Sequence, residues 1–96
     1  MNSKNYYVYI ATNKLNQVLY TGITNSLLNR EHQHKNKENK NSFTAKYNVN
    51  KIVYYEVYSY VYDALNREKQ IKAGSRKKKL ELIKKINPAW KDLLTN

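Results

Sequence analysis

The sequence predicts an α+β fold: a small three-stranded, largely antiparallel sheet flanked by helices, in the order β-β-α-β-α-α. Three observations lead there. Short runs rich in β-branched and aromatic residues stand at 6–11 (YYVYIA), 17–21 (QVLYT) and 51–58 (KIVYYEVY). Apolar residues return at helical spacing through 61–73, and again at Leu80, Ile83 and Ile86. The chain has 96 residues with no internal repeat, which fits a single domain spanning 1–96.

The first two strands should form a hairpin, because Asn13-Lys14-Leu15-Asn16 between them has turn chemistry. A turn centred between Lys14 and Leu15 sets Tyr9 opposite Tyr20, with Tyr7 on the same face as Tyr9. A helix is predicted from Ser26 to about Lys35, capped by Asn25 or Ser26. Residues 36–50 are polar and rich in Asn and Lys, so an irregular loop is expected there, anchored by Phe43 and Tyr47. The third strand follows at 51–58. A helix over 61–73 should stop at Gly74. The helix marked by Leu80, Ile83 and Ile86 should close at Asn87-Pro88. Trp90, Leu93 and Leu94 are then expected to pack back onto the body.

Composition narrows the partner. Eighteen basic residues against seven acidic ones give a net charge of +11, which favours a polyanion, with nucleic acid first among them. No cysteine is present, so disulfides and thiolate metal sites are excluded. No apolar run is long enough to span a membrane and the N-terminus is polar, so no membrane partner is expected and the expected location is cytoplasmic. Ten tyrosines against one phenylalanine suit a thin core with wet edges. Arginine occurs only at 30, 67 and 76 among fifteen lysines. Those positions are candidates for the two-pronged grip on phosphate that lysine lacks.

Several residues sit badly in a purely structural reading. On the 61–72 helix, Val61, Ala64, Leu65 and Ile71 make the apolar stripe, and Glu68 falls inside it. A buried carboxylate needs a positive partner. That partner is either a metal at the floor of a cleft or, more simply, a lysine at the stripe's edge. On the first helix Leu27, Arg30, Glu31 and His34 share a face. Arg30 and His34 together suit a phosphate, whereas a solvated face with an Arg–Glu contact is the plainer alternative. His32 points elsewhere. Tyr9 and Tyr20 read alone as a packing pair, and Gly22 allows something to approach closely. The two histidines lack HExxH spacing and there is no glycine-rich phosphate loop.

Tyr7-Val8-Tyr9 followed by Tyr20-Thr21-Gly22 resembles the paired half-motifs of the GIY-YIG nuclease superfamily. Ile23-Thr24-Asn25 and Arg30, eight residues after the glycine, continue the likeness, as does His34. Ala64 to Lys72 resembles the family's glutamate helix. Ser75-Arg76-Lys77-Lys78 and Asn87-Pro88-Ala89-Trp90 are similar to its short stand-alone bacterial branch.

The resemblance implies a metal-dependent endonuclease acting on nucleic acid, with DNA the expected form. It implies Tyr9 as general base, Tyr20 as its assistant, Arg30 on the scissile phosphate and His34 in support. Glu68 would hold one Mg2+ or Mn2+. A cation near Tyr9 is expected to favour its phenolate, which ordinarily forms only near pH 10. Two departures stand out: Tyr7 replaces the glycine of the first half-motif, and Leu80 stands twelve residues beyond Glu68, where larger members carry asparagine. The nearest downstream asparagine is Asn87. The alternatives are a non-catalytic nucleic-acid-binding module on the same fold and, more distantly, a protein- or membrane-surface module.

Overall fold

Strand β1 (Tyr6–Thr12) is the centre of the sheet because it alternates side chains that both faces can bury. Val8 and Ile10 go to one side, Tyr9 and Ala11 to the other, and all four are fully buried. The computed structural model describes residues 4–36 and 42–94. In it β2 (Leu19–Thr24) and β3 (Lys51–Tyr58) flank β1, both antiparallel, in the spatial order β2-β1-β3. Helix α1 (Leu27–Asn36) follows β2, and α3 (Val61–Ala73) and α4 (Arg76–Ile86) follow β3. The predicted α+β fold and element order stand.

The two sheet faces have separate cores. Val8 and Ile10 pack with Val53, Tyr54, Ala64, Ile71 and Ile83, so α3 and α4 cover that side. Tyr9 and Ala11 pack with Leu27, Val49 and Ile52, so α1 covers the other. A bulge in β3 makes this division possible. Ile10 pairs with Tyr54 while Ala11 pairs with Ile52, leaving Val53 as the extra residue. Ile52 thereby turns to α1, whereas Val53 and Tyr54 both turn to α3.

The hairpin register differs from the expected one. Tyr9 pairs with Gly22 and Ala11 with Tyr20. The cause is local: the Asn13 side chain accepts hydrogen bonds from Gln17 N–H (2.7 Å) and Val18 N–H (3.2 Å), and Asn16 takes φ 58°. A side chain closes the loop where a tight backbone turn was expected, and β2 therefore runs on to Thr24.

Ser26 caps α1 as predicted, its hydroxyl accepting from Asn29 N–H at 3.4 Å. Gly74 ends α3 with its N–H turned back to Gln70 and Ile71. The predicted 36–50 loop contains a one-turn helix, α2 (Phe43–Lys46), capped by Ser42. Its 37–41 portion lies outside the described residues. On α4, Ile83 is fully buried and Leu82 joins the core, whereas Ile86 is exposed. After α4 the Asn87 amide donates to the carbonyls of Val53 and Lys91, folding the chain back so that Trp90 and Leu94 pack as expected. No helix among the described residues is long and apolar enough to cross a membrane.

Candidate active site

Gly22 decides where the Tyr9 ring lies. A Cβ on Gly22 would stand 2.5 Å from Tyr9 Cζ and Oη and 2.9 Å from Tyr20 Cε2. Only a residue without a side chain lets both rings close over β2. What approaches Gly22 so closely is the Tyr9 phenol itself, which the corrected register sets directly across the ladder.

Tyr9, fully buried, meets His34 of α1, with Oη and Nε2 3.2 Å apart. Tyr20 closes a three-ring cluster, its centroid 6.2 Å from Tyr9 and 5.9 Å from His34. Arg30 lies one turn before His34 on α1, and its Nε is buried without a hydrogen-bond partner among the described residues. A buried donor left unmade costs about 1–3 kcal/mol, so this atom is poised for an acceptor.

The charges in this cluster are held down. Burial and then the Arg30 cation lower His34 to a pKa of about 4, so it is neutral at pH 7. Tyr9 is pushed well above the ordinary phenol value, chiefly by burial, then by Tyr20 and, least, by Glu68; Arg30 opposes them without winning. The expectation that a nearby cation would favour the phenolate is thus not met in the folded chain. Tyr9 carries its proton, and a neutral imidazole accepts it when the His34 tautomer places hydrogen on Nδ1.

Glu68 arrives from the other side. It lies on α3 between Ala64 and Ile71, which face the Val8 and Ile10 core. Its carboxylate pairs with Lys72 at 2.9 Å, so the simpler of the two predicted partners is present. Its influence on Tyr9 is electrostatic, and Lys72 in turn feels Tyr20, so the pair lies within range of both phenols. The structure thus brings Tyr9, Tyr20 and His34 into one cluster, with Arg30 and Glu68 within coulombic reach of it. Thr21 Oγ1 is also buried without a partner among the described residues. Strand alternation with Leu19 and Ile23 turns it to the α3 side.

One weighed contact is absent. Glu31 makes no hydrogen bond or ion pair with Arg30 among the described residues; it is buried, accepts Ile52 N–H at 3.4 Å and pairs with Lys35 at 3.1 Å. Lys35 also reaches Asp92, and burial followed by the Asp92 hydrogen bond raises the Glu31 pKa. Glu31 therefore ties α1 to β3 and the C-terminal segment. Phe43, expected as a loop anchor, stacks on Tyr20 with centroids 6.1 Å apart and planes at 28°. Tyr7 shares the Tyr9 face, as expected, and pairs edge-on with Tyr55. The 25-residue separation between Tyr9 and His34 gave no local signal, whereas Gly22 did give one. His32 is exposed, as expected, and is hydrogen-bonded to Asn36.

A cleft of about 440 Å³ lies between α3 and α4, lined by Arg67, Gln70, Ile71, Lys78, Leu82 and Lys85 among others. None of the five candidate residues borders it, and it has no part in the chemistry considered below.

Residues 5–81 match the family described as the GIY-YIG catalytic domain. Among solved structures, the chain is similar to a UPF0213 protein of Bacillus halodurans determined in solution by NMR. The two share 25% identity at a TM-score of 0.57, over 96% of this chain and 99% of that one. No curated protein matches the chain.

Proposed function

Since the chain belongs to the GIY-YIG family, a family of nucleases, we propose that it is a metal-dependent endonuclease hydrolysing nucleic-acid phosphodiesters, with DNA the first substrate to test. The observation that carries this reading is the buried, unpartnered Arg30 Nε beside a neutral Tyr9–His34 pair. A phosphate oxygen is the acceptor that this donor lacks, and a phosphodiester brings the reacting bond to Tyr9.

The raised pKa of Tyr9 shapes the mechanism. A preformed phenolate is not needed if Tyr9 relays a proton. Water gives its proton to Tyr9 Oη as Tyr9 gives its own to His34 Nε2. The hydroxide formed attacks phosphorus as the P–O bond to the leaving sugar oxygen breaks, and the proton held by His34 returns to solvent or to that oxygen. Burial and then Arg30 depress His34, and phosphate charge beside Arg30 would offset the second of these. Tyr20 packs against both partners and holds them in register.

GIY-YIG nucleases generally use divalent metals. Among the described residues no three His, Asp or Glu side chains gather into a metal cage. The donor chemistry instead fits a single hydrated Mg2+ or Mn2+ on one carboxylate, Glu68, with the unpartnered Thr21 hydroxyl turned to the same side of the sheet. When bound, the ion supplies charge to the phosphate and to the leaving oxygen. Lys72 holds that position in the folded chain.

A second reading, a binding module without catalysis, is favoured by that same ion pair and by the protonated Tyr9. Cleavage assays separate the two. Branched, nicked, single-stranded and duplex substrates are incubated with Mg2+, Mn2+ or chelator, using wild type and Glu68→Gln. The endonuclease reading expects metal-dependent cleavage by wild type alone, with nucleic-acid affinity of the variant equal or tighter. Equal cleavage by both removes Glu68 from the mechanism. No cleavage by either leaves the binding module.

A further inference from the structure

Aromatic rings run without a break from the buried base to the surface. Tyr9 meets Tyr20 at 6.2 Å, Tyr20 stacks on Phe43 at 6.1 Å, and Phe43 meets Tyr47 at 4.8 Å. Exposure rises from Tyr9 at 0% through half-buried Tyr20 to the exposed pair, Phe43 at 46% and Tyr47 at 41%. Thr44 and Ala45 of α2 and Val49 after it are buried, and the Ser42 hydroxyl caps the helix through Ala45 N–H, so α2 is held by more than the two rings, which keep much of their surface exposed. Lys46 extends over the Tyr47 ring, 5.4 Å from its centroid, so the exposed aromatic edge carries positive charge.

Resting on the nuclease reading above, we propose that Phe43 and Tyr47 form a base-stacking wall beside the scissile phosphate, and that the substrate is nucleic acid with an unpaired base at that position. Bases of a duplex are stacked on both faces and offer no ring to Phe43. Bases of a single strand, a flap or a bulge do, whatever their identity. Tyr20 packs on Tyr9 and Phe43 packs on Tyr20, so Phe43 stands two ring contacts from the reacting phenol. A phosphate at Arg30 and a base on Phe43 would then belong to nearby positions of one strand. Lys46 suits the next phosphate along. The same wall explains how so small a chain would select its target: it reads the absence of pairing and no sequence.

The test uses the full chain, an oligo-dT strand and a blunt hairpin duplex of equal length, with Kd measured at one salt concentration for wild type, Phe43→Leu, Tyr47→Leu and Tyr47→Phe. Leucine keeps the apolar bulk and removes the stacking face. Thermal melting of each variant verifies folding. Wild type should prefer the single strand. Phe43→Leu and Tyr47→Leu should each weaken it about 10-fold, within the range that base–aromatic stacking spans. Duplex binding should change less than twofold, and Tyr47→Phe should bind as wild type does. Equal losses on both nucleic acids, or none on either, overturn the wall and leave the nuclease reading standing if wild type still cleaves. Selective loss of strand binding in a protein that cleaves nothing keeps the wall and ends the nuclease reading.

Discussion

The sheet buries a tyrosine on each face, and the two are treated in opposite ways. On the α3 side Tyr54 donates to Glu56, which also accepts from Tyr58 at 2.6 Å and from Arg67 at 2.9 and 3.0 Å. Arg67 spends a further N–H on Gln70. Burial works against the Glu56 charge, yet the Arg67, Tyr54 and Tyr58 hydrogen bonds outweigh it and hold its pKa below the ordinary carboxylate value. Tyr54 is pushed up to about 12, first by burial and then by Glu56. Donors and acceptors match there, so the network is closed. On the α1 side Tyr9 has one long bond to a neutral imidazole, and the Arg30 Nε has no partner among the described residues. That cluster is open. The same residue types build structure where they saturate one another and a candidate site where they do not.

A large effect should follow from removing the open cation. Arg30→Ala is expected to lower cleavage about 10²–10³-fold, the usual loss for one preorganised donor to a developing charge. It deletes no hydrogen bond found among the described residues, so melting should be nearly unchanged. A large drop in Tm would mean that Arg30 is structural after all. The mirror change, Arg67→Ala, opens the closed network and strands a largely buried Glu56. Both partners keep some solvent contact, so a cost of about 2–3 kcal/mol is expected, below that of a fully buried pair. Urea unfolding measures it, and a shift under about 0.5 kcal/mol would show the network to be ornamental.

These contrasts were unevenly legible in the sequence. Strands and helices were readable because local periodicity and caps decide them. Arg30, His34 and Glu68 stood out as exceptions to that periodicity, whereas Tyr9 and Tyr20 read alone as a packing pair and were singled out only by the family resemblance. The hairpin register was not, because Asn13 closes the loop with its side chain and Asn16 takes a left-handed conformation. Glu31 was misread because its partners, Ile52 and Asp92, lie far along the chain. Tyr54, Glu56 and Tyr58 alternate along β3 like any outward polar row, and only Arg67 from α3 makes them an inward network. The bulge at Val53 leaves no mark in hydropathy.

A smaller effect distinguishes the faces by pH. His34 is lowered from an ordinary value of 6.5 to about 4, so the unfolded chain takes up this proton first. The stability His34 confers is whole above pH 6.5 and falls as pH drops toward 4, by an amount on the order of 2 kcal/mol. Glu56, depressed in the fold, adds a loss only below its unfolded range, near pH 4.5 and under. His34→Gln should flatten the first limb and leave the second. An unchanged profile would place the titrating group elsewhere.

The most direct test removes one hydroxyl from each face and reads both proteins twice. Tyr9→Phe loses a 3.2 Å bond between neutral groups, so its stability cost should be about 1 kcal/mol or less, while cleavage falls about 10²–10⁴-fold. Tyr54→Phe loses a bond to a carboxylate, so it should cost about 1.5–3 kcal/mol and leave single-turnover cleavage at saturating substrate within a few-fold of wild type. Equal destabilisation by the two changes, with Tyr9→Phe cleaving as wild type does, would contradict the contrast between a closed structural network around Tyr54 and an open reactive cluster around Tyr9.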